Sequence, residues 1–452
     1  MKLKEYCGVC GIYNKEEAAN YVYLGLHALQ HRGQESAGIV SSEDGIFYEQ
    51  KGFGLVHDVL GDEKIIASLK GKIAVGHNRY STYGDDSTSN IQPITAQYGL
   101  GKIAIAHNGN LINAYKIKKK LVEEGAIFNS SSDTEIIIHL IAKSRFSNFM
   151  DRLVDALKMI KGAFSLIIMR ENELYAIRDP WGFRPLSMGK LNNGAIVFAS
   201  ESCAFDLIGA KFIRDIKPGE IVVVNKDGIS SYNPFKQIDE HRCVFEYIYF
   251  ARPDSYLWDK DVYGVRKRTG EILALESPVD ADIVVPVPDS GVPAALGYSN
   301  TMHIPLDFGL IRNHYVGRTF IEPSQSIRNL GVKLKLNPEK GVLKDKRVVI
   351  IDDSLVRGTT SRRIVKMLRN AGAKEVHIRI ASPPVASPCF YGIDTPTKKE
   401  LIASSHTQEE IRKYSTADSL AYLSLEGLKK VVGDKGYCFS CFTGDYPIAF
   451  EK

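Results

Sequence analysis

Two patterns of apolar residues divide the chain. In the first half, short apolar runs at Gly8–Tyr13, Ser36–Ser41, Lys72–His77, Lys102–His107, Phe164–Met169 and Ala195–Ala199 read as strands. Apolar positions at helical spacing predict helices over Glu16–Leu29, Tyr115–Glu124, Asp133–Ser144 and Met150–Ile160. Strands come in pairs and helices in pairs, without the regular alternation of a parallel sheet, so the pattern predicts an α+β layered domain. The second half differs. Near-continuous Val/Ile runs at Asp282–Pro286, Arg347–Ile351 and Val376–Ile380 alternate with helical Pro293–Tyr298 and Thr360–Asn370, which suits an α/β domain around a buried parallel sheet. Ser231-Tyr-Asn-Pro-Phe235 interrupts both patterns, placing a boundary near Ser230–Gln237. The last stretch, about 40 residues, reads as irregular and ends in an aromatic- and Cys-rich tail.

Composition narrows the class. The 452 residues are 44% hydrophobic and 25% charged, ordinary for a globular protein of two or three domains. Fifty-eight Lys plus Arg against 53 Asp plus Glu leave a net charge of +5, too small for a nucleic-acid footprint. It is compatible with a local basic pocket for an anionic small molecule. No apolar run approaches the ~18 residues of a spanning helix, so no membrane role is expected. The start, Met1-Lys-Leu-Lys-Glu-Tyr6, lacks the apolar core of a secretory signal. Seven cysteines in so long a chain do not make a disulfide scaffold, and a reducing cytoplasm is expected.

Arg347-Val-Val-Ile-Ile-Asp-Asp-Ser-Leu-Val-Arg-Gly-Thr-Thr360 is the most informative stretch. An apolar strand delivers Asp352 and Asp353 to its carboxyl end, where open α/β sheets place ligands. Arg357, Gly358, Thr359 and Thr360 then turn the backbone and open a helix, an arrangement suited to phosphate. Paired acids beside a phosphate cradle suit a sugar diol and hydrated Mg²⁺. The bland alternative is a capped helix after a strand, with two solvated acids. Val285-Pro-Val-Pro-Asp-Ser290 ends another strand of the same sheet, so Ser290 faces the same crevice or simply caps the following helix.

The first half carries a second set: Cys7-Gly-Val-Cys10, His31-Arg-Gly-Gln34, His77-Asn-Arg79, His107-Asn-Gly-Asn110 and Ser131-Ser-Asp-Thr-Glu135. Were Met1–Tyr6 removed, Cys7 would carry its own α-amino group, which titrates near ~7.7–8.0 and can serve as base to its thiol. Asn108 and Gly109 offer amides to an oxyanion. Arg79 suits a substrate carboxylate as a bidentate fork, and Asp133 a substrate ammonium. The competing reading makes Cys7 and Cys10 a metal or redox pair, and His77 and His107 packed histidines.

Four further cysteines, Cys243, Cys389, Cys438 and Cys441, lie in the second half. Four thiolates complete a tetrahedral Zn site or a cubane iron–sulfur cluster, and spacing does not separate the two. Cys203 fits neither set and reads as a core thiol.

The Arg347–Thr360 run resembles the phosphoribosylpyrophosphate-binding motif of type I phosphoribosyltransferases. The N-terminal motifs resemble class II, N-terminal-nucleophile glutamine amidotransferases. Together, from Cys7 to about Tyr446, the chain is similar to the glutamine phosphoribosylpyrophosphate amidotransferases. The resemblance implies a propeptide (1–6), an αββα glutaminase domain (7–234) and a phosphoribosyltransferase domain with a cluster-binding tail (235–452). It implies hydrolysis of glutamine and transfer of ammonia to phosphoribosylpyrophosphate, giving 5-phosphoribosylamine at the start of purine synthesis. Cys7 matches the nucleophile and Asn108 and Gly109 the oxyanion hole, with Arg79, Asp133 and Arg32 on glutamine. Asp352, Asp353, Arg357, Gly358, Thr359 and Thr360 match the phosphoribosylpyrophosphate site, and Ser290, Asp352 and Asp353 its Mg²⁺ positions. Arg312-Asn-His-Tyr-Val-Gly-Arg-Thr-Phe320 matches a loop that closes over that site and brings Arg312 and Arg318 to the substrate. Cys243, Cys389, Cys438 and Cys441 match the 4Fe-4S ligands of one branch of the family. A homo-oligomer inhibited by purine nucleotides is also implied. Two departures stand out: Cys10 replaces a commoner aliphatic or aromatic residue, and Arg312 and His314 stand where Lys and Arg are usual.

Other enzymes with the same first half would need a different second half, such as an ATP-pyrophosphatase Ser-Gly-Gly-x-Asp-Ser loop, and none is present. A nucleotide-sensing regulator with a phosphoribosyltransferase fold is the remaining alternative, and it leaves the Cys7 set unexplained.

Overall fold

The computed structural model of the chain describes residues 5–81, 87–313, 336–393, 395 and 397–449. Its first half is built on two stacked sheets. One has seven strands in the spatial order Lys211–Asp215, Ser187–Lys190, Ile196–Ala199, Glu5–Tyr13, Ile73–Ser81, Ser36–Glu43 and Ile46–Phe53, all neighbours antiparallel. The other has six, in the order Gly228–Tyr232, Ile221–Asn225, Leu174–Arg178, Gly162–Met169, Gly101–Leu111 and Ile94–Tyr98, again antiparallel.

The period-2 alternation of strands sorts their residues into three apolar layers. Val9, Val75, Ala104, Ala106 and Ile167 meet between the sheets. Cys10, Ile12 and Ala74 turn outward against the helix Ala18–Ala28. Ile103, Ile105, Phe164 and Ile168 turn outward against the helices Asp133–Lys143 and Phe149–Met159. Helix, sheet, sheet and helix therefore stack as the αββα sandwich that the resemblance implies, a form of the layered α+β domain the paired pattern predicts. The same alternation separates Cys7 from Cys10. Three residues apart on one strand, they point to opposite faces, so the metal or redox pair is ruled out by register.

In the second half, Ile283–Pro286, Arg347–Asp352, Glu375–Ile380 and Ser419–Tyr422 form a parallel sheet in that order. Val285, Val348, Ile350 and Ile378 pack on the helix Thr359–Asn370. Val284, Val349 and Ile351 face Leu273 and Ala294, from the helices Val262–Glu276 and Val292–Met302. Both faces of the sheet are covered, which is why its strands read as unbroken apolar runs.

The tail departs from expectation. It is not irregular: Ser419–Tyr422 joins the parallel sheet as its last strand, and Leu425–Val432 is a helix. A four-residue strand carrying one Ser and one Ala gives too little apolar signal to be read from sequence. Further on, Tyr437–Cys438 pairs in parallel with Arg242–Cys243.

Candidate functional site

Cys7 sits on Glu5–Tyr13 directly opposite Arg79 in the ladder to Ile73–Ser81, and Arg79 is in turn opposite Ser36. By register, Cys7, His77 and Arg79 lie on the inter-sheet side with Val9 and Val75. Cys7 is fully buried. Asn78, on the other side, is fixed by its amide donating to the carbonyls of Leu26 and Leu29 (3.3 and 2.9 Å) at the end of the first helix.

His77 Nε2 donates to the carbonyl of His107 at 3.1 Å and so ties the two sheets together. Its pKa falls from 6.5 to about 3, first because of burial and then because of Arg79. His77 is therefore a neutral packed histidine. On the facing strand, Asn108 shares the inter-sheet side with Ala104 and Ala106. It is fully buried, and neither its amide nitrogen nor its oxygen has a hydrogen-bond partner among the described residues. Gly109 is required beside it, because a Cβ there would collide with the Ala163 carbonyl.

His107 points the other way. Its Nδ1 lies 3.1 Å from Thr134 Oγ1 and 3.5 Å from Asp133 Oδ1. Asp133 opens the helix Asp133–Lys143, capped by Ser132, and its Oδ2 accepts from the Leu111 amide at 2.8 Å. Burial pushes the Asp133 pKa up, but His107 and the Leu111 amide outweigh it, and the carboxyl lies below its usual range.

Arg32 was expected on glutamine. The structure commits its guanidinium elsewhere: Nε donates to the Cys7 carbonyl at 3.0 Å, Nη2 to Glu246 Oε1 at 2.8 Å, and Nη1 to both Glu201 and Glu246. All three side chains are fully buried. Burial opposes the Arg32 charge, but the two glutamates raise its pKa above the usual value. Glu201 is held well below the carboxylate range, against the effect of burial, by His31 and Arg32.

The second half-site lies at the carboxyl ends of the parallel strands. Asp352 ends its strand, and its Oδ1 accepts from the Asp353 amide at 3.0 Å. Ser290 Oγ donates to Asp353 Oδ1 at 2.5 Å, and Ser354 Oγ donates to Oδ2 at 2.6 Å. Burial and the Asp353 charge raise the Asp352 pKa well above the usual carboxylate value. Gly358 follows with φ 73° and caps the helix Thr359–Asn370, whose first-turn amides have no intrahelical acceptor. Arg357 is exposed and donates to Glu400 Oε1 at 3.0 Å. Arg312, at the end of the short strand Leu310–Arg312, pairs with Asp289, the residue before Ser290. Asp289 was quoted in the sequence motif without a role. Arg318 and His314 lie outside the described residues.

The four distant cysteines come together. Strand pairing sets Cys243 opposite Cys438, and Cys441 follows one turn on. The Cys441 carbonyl accepts from the amides of Ala386 and Ser387, both at 3.0 Å, drawing in the segment of Cys389. Burial raises all four thiols, Cys438 to about 11, and the other three thiols raise Cys441 further. Among the described residues no three His, Cys, Asp or Glu stand close enough to hold a single metal ion. Cys203 is a buried core thiol, as expected.

The two halves of the chain also touch along the strand Gly101–Leu111. Asn110 Nδ2 donates to the Phe390 carbonyl at 2.8 Å, and a Cβ on Gly392 would stand 3.1 Å from Gly109 Cα. The segment after Cys389 thus lies along the Asn108–Asn110 strand. Sequence reasoning missed this contact, and it missed Glu201, Glu246 and Arg184, isolated charges outside any local motif.

Known proteins resemble the chain throughout. A glutamine amidotransferase domain family matches residues 77–206, and a phosphoribosyl transferase domain family matches residues 268–382. Amidophosphoribosyltransferase 2, chloroplastic, of Arabidopsis thaliana is 54% identical over 450 residues, covering 99% of this chain and 80% of the relative. The amidophosphoribosyltransferase of Bacillus subtilis is 50% identical over 452 residues, covering 98% and 94%. A solved structure of glutamine phosphoribosylpyrophosphate amidotransferase from B. subtilis, complexed with ADP and GMP, superposes with a TM-score of 0.93 at 49% identity, covering 99% of this chain and 98% of that one.

Proposed function

The chain belongs to the amidophosphoribosyltransferases, and from that premise we propose which of its residues carry each step. The enzyme makes 5-phosphoribosylamine, glutamate and pyrophosphate from glutamine, water and phosphoribosylpyrophosphate, the first step of de novo purine biosynthesis. That membership decides for an enzyme over a nucleotide-sensing regulator.

In the first half-site, the mature chain starts at Cys7 once residues 1–6 are removed. The Cys7 α-amino group takes the thiol proton as sulfur attacks the glutamine carboxamide, and it returns that proton to the departing ammonia. Water then cleaves the thioester and releases glutamate. Arg79 holds the glutamine carboxylate and Asp133 its ammonium. The observation that carries this reading is the Asn108 amide, buried on the same inter-sheet side as Cys7 with no partner among the described residues. With Gly109 beside it, it meets the oxyanion of the tetrahedral intermediate.

In the second half-site, ammonia attacks C1 of the sugar and pyrophosphate leaves. Asp352 and Asp353 face the ribose diol, and Gly358, Thr359 and Thr360 cradle the 5-phosphate at a helix N-terminus, with Arg357 beside them. Arg312 and Arg318, from the loop matched to the family's closing segment, would supply positive charge to the substrate. The donor set of two carboxylates and the Ser290 hydroxyl fits Mg²⁺, which takes few protein oxygens and completes its shell with substrate and water. Bound there, Mg²⁺ supplies positive charge to the leaving pyrophosphate.

Cys243, Cys389, Cys438 and Cys441 suit a 4Fe-4S cluster. What supports this reading is that Cys438 pairs with Cys243 in the ladder and that the thiols of Cys243, Cys389 and Cys438 act on that of Cys441. Such a cluster would be structural here, because neither reaction transfers electrons. A reducing cytoplasm suits free thiols, and no helix among the described residues is long and apolar enough to cross a membrane. Inhibition by purine nucleotides finds support in the ADP and GMP of the B. subtilis complex, and light scattering checks the proposed homo-oligomer.

Cys7→Ala tests the assignment. It should abolish glutamine use and spare transfer from free ammonia, and equal loss of both activities would overturn the two-site reading. Intact mass of active enzyme should show a chain starting at Cys7, and full activity with Met1 retained would remove the α-amino base.

A further inference from the structure

The two halves meet over buried charge rather than over apolar surface alone. Arg32 and Glu201 come from the first half, Glu246 from the second. Glu246 opens the short π-helix Glu246–Phe250. Arg184 adds a second guanidinium 2.8 Å from Glu246 Oε1, and the Phe250 ring lies 4.3 Å from Arg32 Cζ and 5.1 Å from Arg184 Cζ. Glu201 is tied across the boundary too, accepting from Ser255 Oγ at 2.6 Å and from the Arg252 amide at 2.9 Å.

This cluster ends on the proposed nucleophile. Arg32 Nε, the one guanidinium nitrogen not given to a carboxylate, donates to the Cys7 carbonyl at 3.0 Å. The other end reaches the second half-site. Arg266 Nε donates to the Tyr247 carbonyl at 2.6 Å and Nη2 to the Ala251 carbonyl at 2.7 Å, so Arg266 holds the π-helix. Arg266, Ser290 and Asp353 line one small cavity.

We propose that Glu246 is a positioning residue for glutamine hydrolysis: from the second domain it orients the Arg32 fork, which fixes the Cys7 backbone and hence the thiol. A guanidinium fork is planar and rigid, so fixing two of its nitrogens aims the third. A carboxylate on the second domain thereby sets the geometry of a nucleophile on the first, and hydrolysis depends on the seating of the two domains. The inference rests on the reading of Cys7 as nucleophile.

The test uses the full-length mature enzyme. Glu246→Gln keeps the shape and removes the charge that holds the fork. Glutamine hydrolysis should lose about tenfold or more in kcat with KM for glutamine little changed, because the substrate contacts remain. Transfer from free ammonia should stay within about twofold of wild type. The rate at which iodoacetamide alkylates Cys7 should fall with kcat, which a general loss of stability would not produce. Arg32→Lys retains the charge but not the fork. It should show the same deficit, and the double variant should be no worse than either single one. Wild-type hydrolysis in Glu246→Gln, or additive losses in the double variant, would overturn the proposal. Cys7→Ala run alongside separates the outcomes: if it still uses glutamine, the nucleophile assignment has failed rather than the role of Glu246.

Discussion

Asn108 combines full burial with an amide that has no partner among the described residues, an arrangement that costs stability and makes sense as a preformed site for charge. Asn108→Ala should lower kcat for glutamine hydrolysis by about 10²–10³-fold. Its unfolding midpoint should stay level or rise, since no hydrogen bond is lost with the amide. Steady-state kinetics and a thermal melt on one preparation check both halves. His77 makes a second prediction. The fold holds it neutral between the His107 carbonyl and the Arg79 charge, with a pKa of about 3, whereas the unfolded chain takes up a proton near 6.5. The unfolded state therefore binds more protons at acid pH. The His77 contribution to stability should decline as pH falls below about 6.5, by at most ~1.4 kcal/mol per unit. Urea unfolding between pH 7.5 and 5 reads this slope, and His77→Gln should flatten it. Residues such as Asn108, Asp352 and Asp353 stand out as candidates in the sequence because each lies in a motif continuous along the chain. Arg32 was named but misdirected, because its partner Glu246 lies 214 positions away and nothing local announces the pair.

At the scale of elements, the turn from Asp352 into the helix Thr359–Asn370 is the clearest case of sequence dictating geometry. Gly358 holds φ 73°, a left-handed conformation natural for Gly, and a Cβ there would stand 2.9 Å from Ile402 Cδ1. Gly358→Ala should cost roughly 1–2 kcal/mol of stability. It should raise KM for phosphoribosylpyrophosphate while leaving the affinity for glutamine alone, which assays with ammonia and with glutamine separate. The paired strands and helices of the first half and the Val/Ile runs of the second announced both layered architectures, because buried sheets print their period directly on the chain. The tail did not. Ser419–Tyr422 and Leu425–Val432 are too short to show a period, and they are placed by the sheet and by helix Val262–Glu276.

For the whole molecule, the proposed cluster on Cys243, Cys389, Cys438 and Cys441 would fasten a tail that already packs through Tyr391, Tyr446 and Ile448 against Ala163 and Phe183. Anaerobically purified protein should contain iron and sulfide and be brown. Cys438→Ser should lose both and unfold at lower temperature, since metal binding is coupled to folding. An iron-free, colourless protein with full activity and unaltered melting would refute the cluster, and zinc in its place would keep the clamp and change the metal.

The contact of Phe390 and Gly392 with Asn110 and Gly109 bears on the order in which the enzyme comes into being. The ribosome delivers the glutaminase half first. The strand carrying Asn108 and Gly109 gains its contact with Phe390 and Gly392 only when residues 389–392 have been synthesised. A nascent chain stalled near position 240 should therefore hydrolyse little glutamine, and activity should switch on in chains extended past the tail. That outcome would mean that no fragment releases ammonia before the acceptor site exists to use it.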